Sequence, residues 1–598
     1  MEIVSVAVPG PWWTDLSYTH GYPLPPGIRV RIPLGASSRV GLTAVAEEPE
    51  NSVRPDDIKE IIDVIDRLPP LPDELWRTIC WFAKTWFIGK GMAAKALLPV
   101  PFLAGEPLEE VCPGPRTGSS SVRYVYEPRD SDRMAVYRDI LTASEAPLLA
   151  LFPELSAAKK FWDMLPAPVK EEGVLWPDLS KGKQWDFWKR SRKGEIRFAV
   201  GCQTASFIPI SGLSTIIVDE ENSGAWKTQK HPLFHHRSVL AARAGFAKAD
   251  LVLGGRMPSA KVFLQIGRDN VRSRIRDRLI FVDMRDASSY SSDGIKDRLP
   301  ISRPLIRETR NSLEKGRWVF WILDRKGYAG EIFCEDCGSP VRCPKCGGVM
   351  RWEDKTGRLR CLDCGSVEPV PEKCPTCGGP FLEGQRPGLE ALEKHARSLF
   401  GRDGIILFSD DGTKIPSAAS IMKNYPEAGI ILGTRKILSL TDDISPGTVG
   451  WIDADAEARV EEYDAKARAF SLMWESAWRG ESPDSRKIVI QSRRPEKNWQ
   501  QTLGIGWGHF WERELQERME WELPPFVPML KIDIPAFKRK QLAEDLEQAG
   551  FDYWESEDRS DTIWVRTKKF DALRKTIAPY FDIKNTRSGI PRITIKLD

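Results

Sequence analysis

Eight of the eleven cysteines in this chain lie between residues 334 and 377, arranged as four C-x-x-C pairs. The pairs are Cys334/Cys337, Cys343/Cys346, Cys361/Cys364 and Cys374/Cys377, and a glycine follows the second cysteine of each. Such a pair forms a tight knuckle that offers two thiolates to one tetrahedral ion. Four pairs suffice for two closed sites, each holding a structural Zn2+ with no open coordination position. Iron–sulfur ligation follows different spacing rules. Each zinc contributes on the order of 10 kcal/mol of apparent folding free energy, so the segment is expected to be unfolded without metal. Spacing alone leaves open which pairs share an ion. Cys80, Cys112 and Cys202 fall outside the cluster and read as packing residues.

The cysteine block interrupts a chain patterned as alternating strands and helices. Leu148–Phe152, Ile196–Val200, Thr215–Val218 and Leu251–Leu253 are apolar runs separated by helical stretches, the pattern of a parallel α/β sheet. A second series runs through Trp318–Leu323, Gly404–Phe408, Gly429–Leu432, Val449–Ile452 and Lys487–Ile490. The expected organisation is a β-rich domain at 1–52, a helical domain at 53–103 and a linker at 104–121. Two α/β lobes follow at 122–268 and 269–500, the second carrying the cysteine insertion at 331–383. A connecting segment at 501–526 leads to a small α+β domain at 527–598. With 41% hydrophobic and 29% charged residues, the composition is that of a globular protein. No apolar run has transmembrane length and no signal peptide is evident, so a cytoplasmic location is expected, where thiols stay reduced. Lys plus Arg total 87 against 84 Asp plus Glu, a net charge of +3, so any nucleic-acid site must be a local patch.

Several segments, in order, resemble the PriA replication-restart helicase family. LDRKGYAG (Leu323–Gly330) is similar to the N-R-R-G-Y stretch that leads into that family's zinc insert. FPELS (Phe152–Ser156) resembles V-P-E-I-S, IIVDEENSGAWK (Ile216–Lys227) resembles I-V-D-E-E-H with its aromatic loop, and ILGTRKI resembles L-x-G-T-Q-M. The resemblance implies a multidomain α/β fold. Its parts are a 3′-end-binding β domain, a winged-helix domain, two RecA-like helicase lobes with a two-zinc insertion, and a C-terminal α+β domain. It also implies nested zinc sites, Cys334, Cys337, Cys374 and Cys377 in one and Cys343, Cys346, Cys361 and Cys364 in the other.

Against that family, the ATP machinery is degenerate. A phosphate loop needs glycines, a lysine for the phosphates and a Ser or Thr for magnesium. The corresponding stretch, Glu127–Met134 (EPRDSDRM), has no glycine, with Arg133 at the lysine position and Met134 at the threonine position. Asn222 replaces the histidine of D-E-E-H, and of the two arginines in the family's arginine motif only Arg479 remains in register. Asp219 and Glu220 persist at the magnesium and water-activating positions; they read either as a residual nucleotide site or as carboxylates capping a strand end. ATP and Mg2+ are not expected as cofactors.

For DNA, the loop after DEEN interleaves basic and aromatic groups: Trp226, Lys227, Phe234, His235 and Arg237 are candidate strand contacts, with core packing as the alternative. The run Lys181–Glu195 carries six Lys/Arg and two Trp and reads as a DNA-backbone contact or a solvated basic helix. Ser17 and Tyr18 fall where the family recognises a free 3′ end, with a hydroxyl in place of its carboxylate. The leading expectation is a scaffold for replication restart and primosome assembly on forked or single-stranded DNA, without ATP hydrolysis. The alternatives are an active 3′–5′ helicase with diverged motifs and a zinc-dependent protein-interaction module. The resemblance implies single-stranded DNA-binding protein and primosome or helicase-loading proteins as partners, a nucleoid-associated location and no membrane.

Overall fold

Four-residue runs such as Leu148–Leu151 and Phe198–Gly201 are buried along their whole length, as strands covered on both faces must be. The computed structural model describes residues 2–45, 58–111, 120–176, 180–267, 275–284, 301–323, 332–334, 337, 339–353, 358–361, 364–379, 382–384, 389–401, 403–408, 416–459, 462–492, 498–555, 561–581 and 591–598. The chain forms two units: Met1–Glu127, Ser131–Leu264 and Trp521–Asp598 make one, Pro128–Asp130 and Gln265–Glu520 the other.

The first unit begins with a five-stranded antiparallel sheet over residues 2–64, followed by helices Asp73–Thr85 and Lys90–Leu97. Arg29, fully buried, joins this sheet to the segments after it. Its Nε and Nη2 each donate to Asp66 at 2.8 Å, and its Nη1 donates to the carbonyls of Phe102 and Glu106 at 3.0 and 2.9 Å.

A six-stranded parallel sheet follows, in the spatial order Val122–Val125, Asp250–Gly254, Thr215–Val218, Leu148–Leu151, Phe198–Gly201, Gly173–Leu175. Its core includes Tyr137, Phe152, Phe161, Phe198 and Ile217. The unit ends in a four-stranded antiparallel sheet, ordered Asp552–Glu555, Thr562–Arg566, Met529–Asp533, Arg592–Lys596, with helices Ala536–Gln548 and Phe570–Ile577.

The second unit holds another six-stranded parallel sheet. Its order is Leu279–Asp283, Lys487–Ser492, Thr448–Trp451, Val319–Ile322, Ile430–Gly433, Ile405–Phe408. Between strand Val319–Ile322 and helix Leu389–Phe400 the cysteine segment forms a two-stranded and a three-stranded antiparallel sheet. The edge strands Val122–Val125 and Gly173–Leu175 in the first unit, and Leu279–Asp283 in the second, are positions that sequence periodicity does not mark. These strands are short, and edge strands lack the continuous apolar run of a central one. Among the described residues no helix is long and apolar enough to cross a membrane. Cys80 and Cys202 are half-buried, and burial pushes the Cys202 thiol up to about 11; Cys112 and residues 324–330 lie outside the described residues.

Removing one partner of a buried, hydrogen-bonded pair leaves an uncompensated charge and costs about 3–5 kcal/mol. Asp66→Ala should therefore destabilise the first unit by about that amount, read as the loss of unfolding free energy in urea.

Candidate functional site

The cysteine pairs converge as two tetrads. Cys334, Cys337, Cys374 and Cys377 have sulfurs within 4.8 Å of one another, as do Cys343, Cys346, Cys361 and Cys364. Across pairs, Cys334–Cys377, Cys337–Cys374, Cys343–Cys364 and Cys346–Cys361 stand 3.5, 3.8, 3.6 and 3.4 Å apart. A tetrahedral ion with metal–sulfur bonds of ~2.3 Å requires sulfur–sulfur edges of about 3.8 Å, so the donors fit two such ions. The knuckles are built by the backbone: Gly347, Gly365 and Gly378 take left-handed φ of 74°, 73° and 75°, and their N–H groups donate to the carbonyls of Cys343, Cys361 and Cys374. The Thr376 N–H donates to the Cys374 sulfur and the Gly379 N–H to the Cys377 sulfur, both at 3.4 Å, contacts that favour thiolates.

The second cluster lies at the carboxyl end of strand Thr215–Val218, where open α/β sheets bind ligands. Helix Asp130–Thr142 places Arg133 and Tyr137 one turn apart on the same face, both fully buried. Arg133 Nε donates to Asp219 at 3.0 Å, its Nη2 to Glu220 at 2.7 Å and its Nη1 to the Glu127 carbonyl at 2.7 Å. Tyr137 Oη donates to the same Asp219 oxygen at 3.0 Å, and Arg256 holds Glu220 at 2.9 Å. Glu220 sits at φ +46°, a left-handed turn that aims its carboxylate at both arginines. Gly254 keeps Tyr137 in reach: a Cβ there would meet the Tyr137 oxygen at 1.9 Å. The carboxylates are thus capped from within the unit. Met134 is a core residue packed with Tyr137 and Leu141.

The structure corrects most of the expected DNA-contact loop. Trp226 is fully buried, and its indole N–H donates to the carbonyls of Asp219 and Glu220 at 3.1 and 3.0 Å; it clamps the carboxylate turn and offers no face to a base. Phe234 packs between Phe82 and His236, with ring centroids 4.6 and 4.8 Å away. Arg237 is buried against Glu221 at 2.5 Å and against Asp598, while Glu221 also accepts from Tyr126 at 2.8 Å and from the Ser259 N–H at 2.6 Å. Burial, and then the Arg237 charge, holds His235 well below the ordinary histidine range, so it is neutral. Of the five, Lys227 is exposed. Helix Lys181–Lys193 likewise turns Trp185 and Trp188 inward, stacked 5.0 Å apart, and leaves Lys181, Lys183 and Arg190 outside.

Ser17 is exposed, whereas Tyr18 is buried with its hydroxyl donating to the Pro33 carbonyl at 3.2 Å, which removes it as a surface contact. Asp15, beside them, is paired with Lys90 at 2.8 Å. In the second unit Arg479 forms a fork on Asp442 at 2.9 and 2.7 Å and reaches Glu475 at 2.7 Å.

These features define a multidomain α/β protein with two parallel six-stranded sheets, the second interrupted by a metal-binding type of cysteine module. The chain is similar to replication restart proteins PriA. The family model for the 3′DNA-binding domain (3′BD) of PriA matches residues 5–99, which span the five-stranded sheet and the two helices after it. The replication restart protein PriA of Treponema pallidum is 26% identical over 566 residues, covering 88% of this chain and 84% of that protein. That of Bacillus subtilis is 25% identical over 401 residues, 64% of this chain, so the match spans about half (49%) of the relative's length. The crystal structure of the DUF1998 helicase MrfA bound to DNA is 9% identical with a TM-score of 0.33, covering 76% of this chain and 56% of that one.

Metal analysis of the purified protein should find two ions per chain, and Cys361→Ser should reduce this to one. A second prediction concerns His236, which burial holds down to about 4 from 6.5, with its Nδ1 3.1 Å from Ser206 Oγ. The folded state keeps the ring neutral, so the unfolded chain takes up a proton first. The stability this ring contributes is complete above pH 6.5 and is lost as the pH falls toward about 4. The loss amounts to about 3 kcal/mol. Melting temperatures across that window should fall more steeply for the natural protein than for His236→Asn.

Proposed function

We propose that this chain serves replication restart as a scaffold on forked or branched DNA, held in shape by two structural Zn2+ ions, and that it does not hydrolyse ATP. The observation that carries the reading is the guanidinium of Arg133 seated on Asp219 and Glu220. A magnesium ion demands oxygen ligands in near-octahedral geometry. Here one oxygen of each carboxylate is engaged, Asp219 Oδ1 by Arg133 and Tyr137 and Glu220 Oε1 by Arg133 and Arg256. The stretch from Glu127 to Met134 contains no glycine to bring backbone N–H groups onto phosphates, and Arg479, the retained arginine, is spent on Asp442 and Glu475.

In this reading the two parallel sheets are helicase lobes, and residues 5–99 hold DNA through the 3′-end domain, with Ser17 at its exposed face. The cysteine tetrads, filled with zinc, keep the insertion folded. Single-stranded DNA-binding protein and primosome or helicase-loading proteins are its partners, in the cytoplasm at the nucleoid.

The purified, metal-loaded chain should bind a synthetic fork with an affinity that drops about tenfold or more between 50 and 200 mM salt. It should release no phosphate from ATP above background, with or without the fork. DNA-stimulated turnover that disappears in Asp219→Asn would refute the scaffold reading.

A further inference from the structure

The two cysteine tetrads offer the same four sulfurs in different surroundings. In the inner tetrad, Cys343, Cys346, Cys361 and Cys364, three cysteines are sheltered. Cys343 and Cys361 are buried and, with Cys346, belong to the apolar cluster of Ile332, Val341, Met350 and Leu359. Cys361 also ends the middle strand of the three-stranded sheet, and Cys364 alone of the four is exposed. The outer tetrad, Cys334, Cys337, Cys374 and Cys377, has an exposed cysteine in each knuckle, Cys337 and Cys377. Among the described residues the apolar cluster includes none of its cysteines, and the sheet beside it is the two-stranded one, Ile332–Cys334 with Leu382–Gly384.

Each exposed cysteine of the outer tetrad faces a buried one across the site. Cys377 lies 3.5 Å from Cys334, which is 1% exposed, and Cys337 lies 3.8 Å from Cys374, which is 4% exposed. Thiolate chemistry follows access, so an oxidant meets the outer tetrad at two sulfurs that each have a second sulfur in reach. Chain length adds to the asymmetry. The cross-site contacts of the outer tetrad span 43 and 37 residues, those of the inner tetrad 21 and 15. Loop closure grows costlier with length, so an opened outer contact re-forms about threefold less readily than an inner one.

We propose that the outer tetrad is a site of reversible oxidation by peroxides, at which Cys337–Cys374 and Cys334–Cys377 disulfides replace the metal while the inner tetrad keeps its ion. The proposal rests on the reading that both tetrads hold zinc and goes beyond it. In the first step an exposed thiolate attacks hydrogen peroxide. The O–O bond breaks, a sulfenic acid forms and hydroxide leaves. The buried thiolate opposite then attacks the sulfenic sulfur, forming the S–S bond and releasing a second hydroxide. Two sulfurs have lost two electrons, and the peroxide has gained them. The same sequence at the other pair leaves the outer tetrad without thiolates, so it no longer holds an ion. Both disulfides join the two ends of the insertion that the metal joined, so the insertion stays closed. A dithiol reductant reverses both bonds by exchange.

The test treats the full, zinc-loaded chain with graded hydrogen peroxide, reads released zinc with a chromophoric chelator and maps the cysteines by non-reducing peptide mass spectrometry. One ion of the two should leave about tenfold or more faster than the other. At that point the maps should show Cys334–Cys377 and Cys337–Cys374 cross-links, with Cys343, Cys346, Cys361 and Cys364 still open to alkylation after denaturation. Dithiothreitol with added zinc should restore two ions. Cys337→Ser/Cys377→Ser should keep one ion and lack the fast phase. Simultaneous release of both ions, cross-links in the inner tetrad first, cross-links confined to C-x-x-C pairs, a fast phase in the double variant, or failure of the reductant to restore the metal overturns the proposal. A purified chain that carries fewer than two ions rejects the zinc reading along with it; two ions that leave together reject the proposal alone.

Discussion

The charge balance at the end of one strand governs what this protein can do. Asp219, Glu220 and Glu221 follow Thr215–Val218 directly, and each meets a guanidinium: Arg133 on the first two, Arg256 on the second, Arg237 on the third. Buried charges persist only when paired and hydrogen-bonded, and Tyr137, Tyr126 and the Ser259 N–H complete the set. A cation or nucleotide entering this cluster must first displace Arg133. Breaking such a pair costs about 3–5 kcal/mol, which lowers an entering ligand's affinity by roughly two to four orders of magnitude. The cluster therefore substitutes for a ligand in fixing the turn. The clamp from Trp226 and the left-handed Glu220 belong to the same local design.

With that turn fixed, the cysteine insertion poses a different stability problem. Residues 332–384 enclose a small apolar cluster around Ile332, Val341, Met350 and Leu359. A segment of this size buries too little surface to fold on apolar contacts alone, and small modules rely on metals for that reason. A metal ion held by four sulfurs at each site would supply the missing free energy and pin two short sheets whose strands run from two to four residues.

What the sequence reveals depends on how local each signal is. C-x-x-C-G knuckles are formed by adjacent residues, so the cysteine module is legible outright, and the nested pairing follows from the family resemblance. Central strands such as Thr215–Val218 and Thr448–Trp451 are legible because burial on both faces writes a largely apolar run. The role of Arg133 is not legible, because its partners lie 86 and 87 residues away and only the sheet brings them together. From sequence, Arg133 reads as a lost lysine; in the fold it is the counter-ion of Asp219 and Glu220. One signal was available: Arg133 and Tyr137 are spaced i, i+4, and a later strand, Thr215–Val218, is followed by three carboxylates.

Aromatic residues show the converse limit. Interleaving of basic and aromatic residues in 226–237 describes a strand-binding loop and a buried turn equally well, because stacking on bases and packing in a core select the same side chains. Burial decides between them, and here Trp226 and Phe234 go to the core. The pattern around Trp564 differs in kind. In T-I-W-V-R the apolar Ile563 and Val565 alternate with Trp564 and Arg566, so period-two geometry commits the indole and the guanidinium to the face opposite the core. A large apolar ring forced onto the solvent side of a sheet, beside a second ring in parallel orientation and under a net positive charge, carries a hydration cost that intramolecular packing relieves only in part.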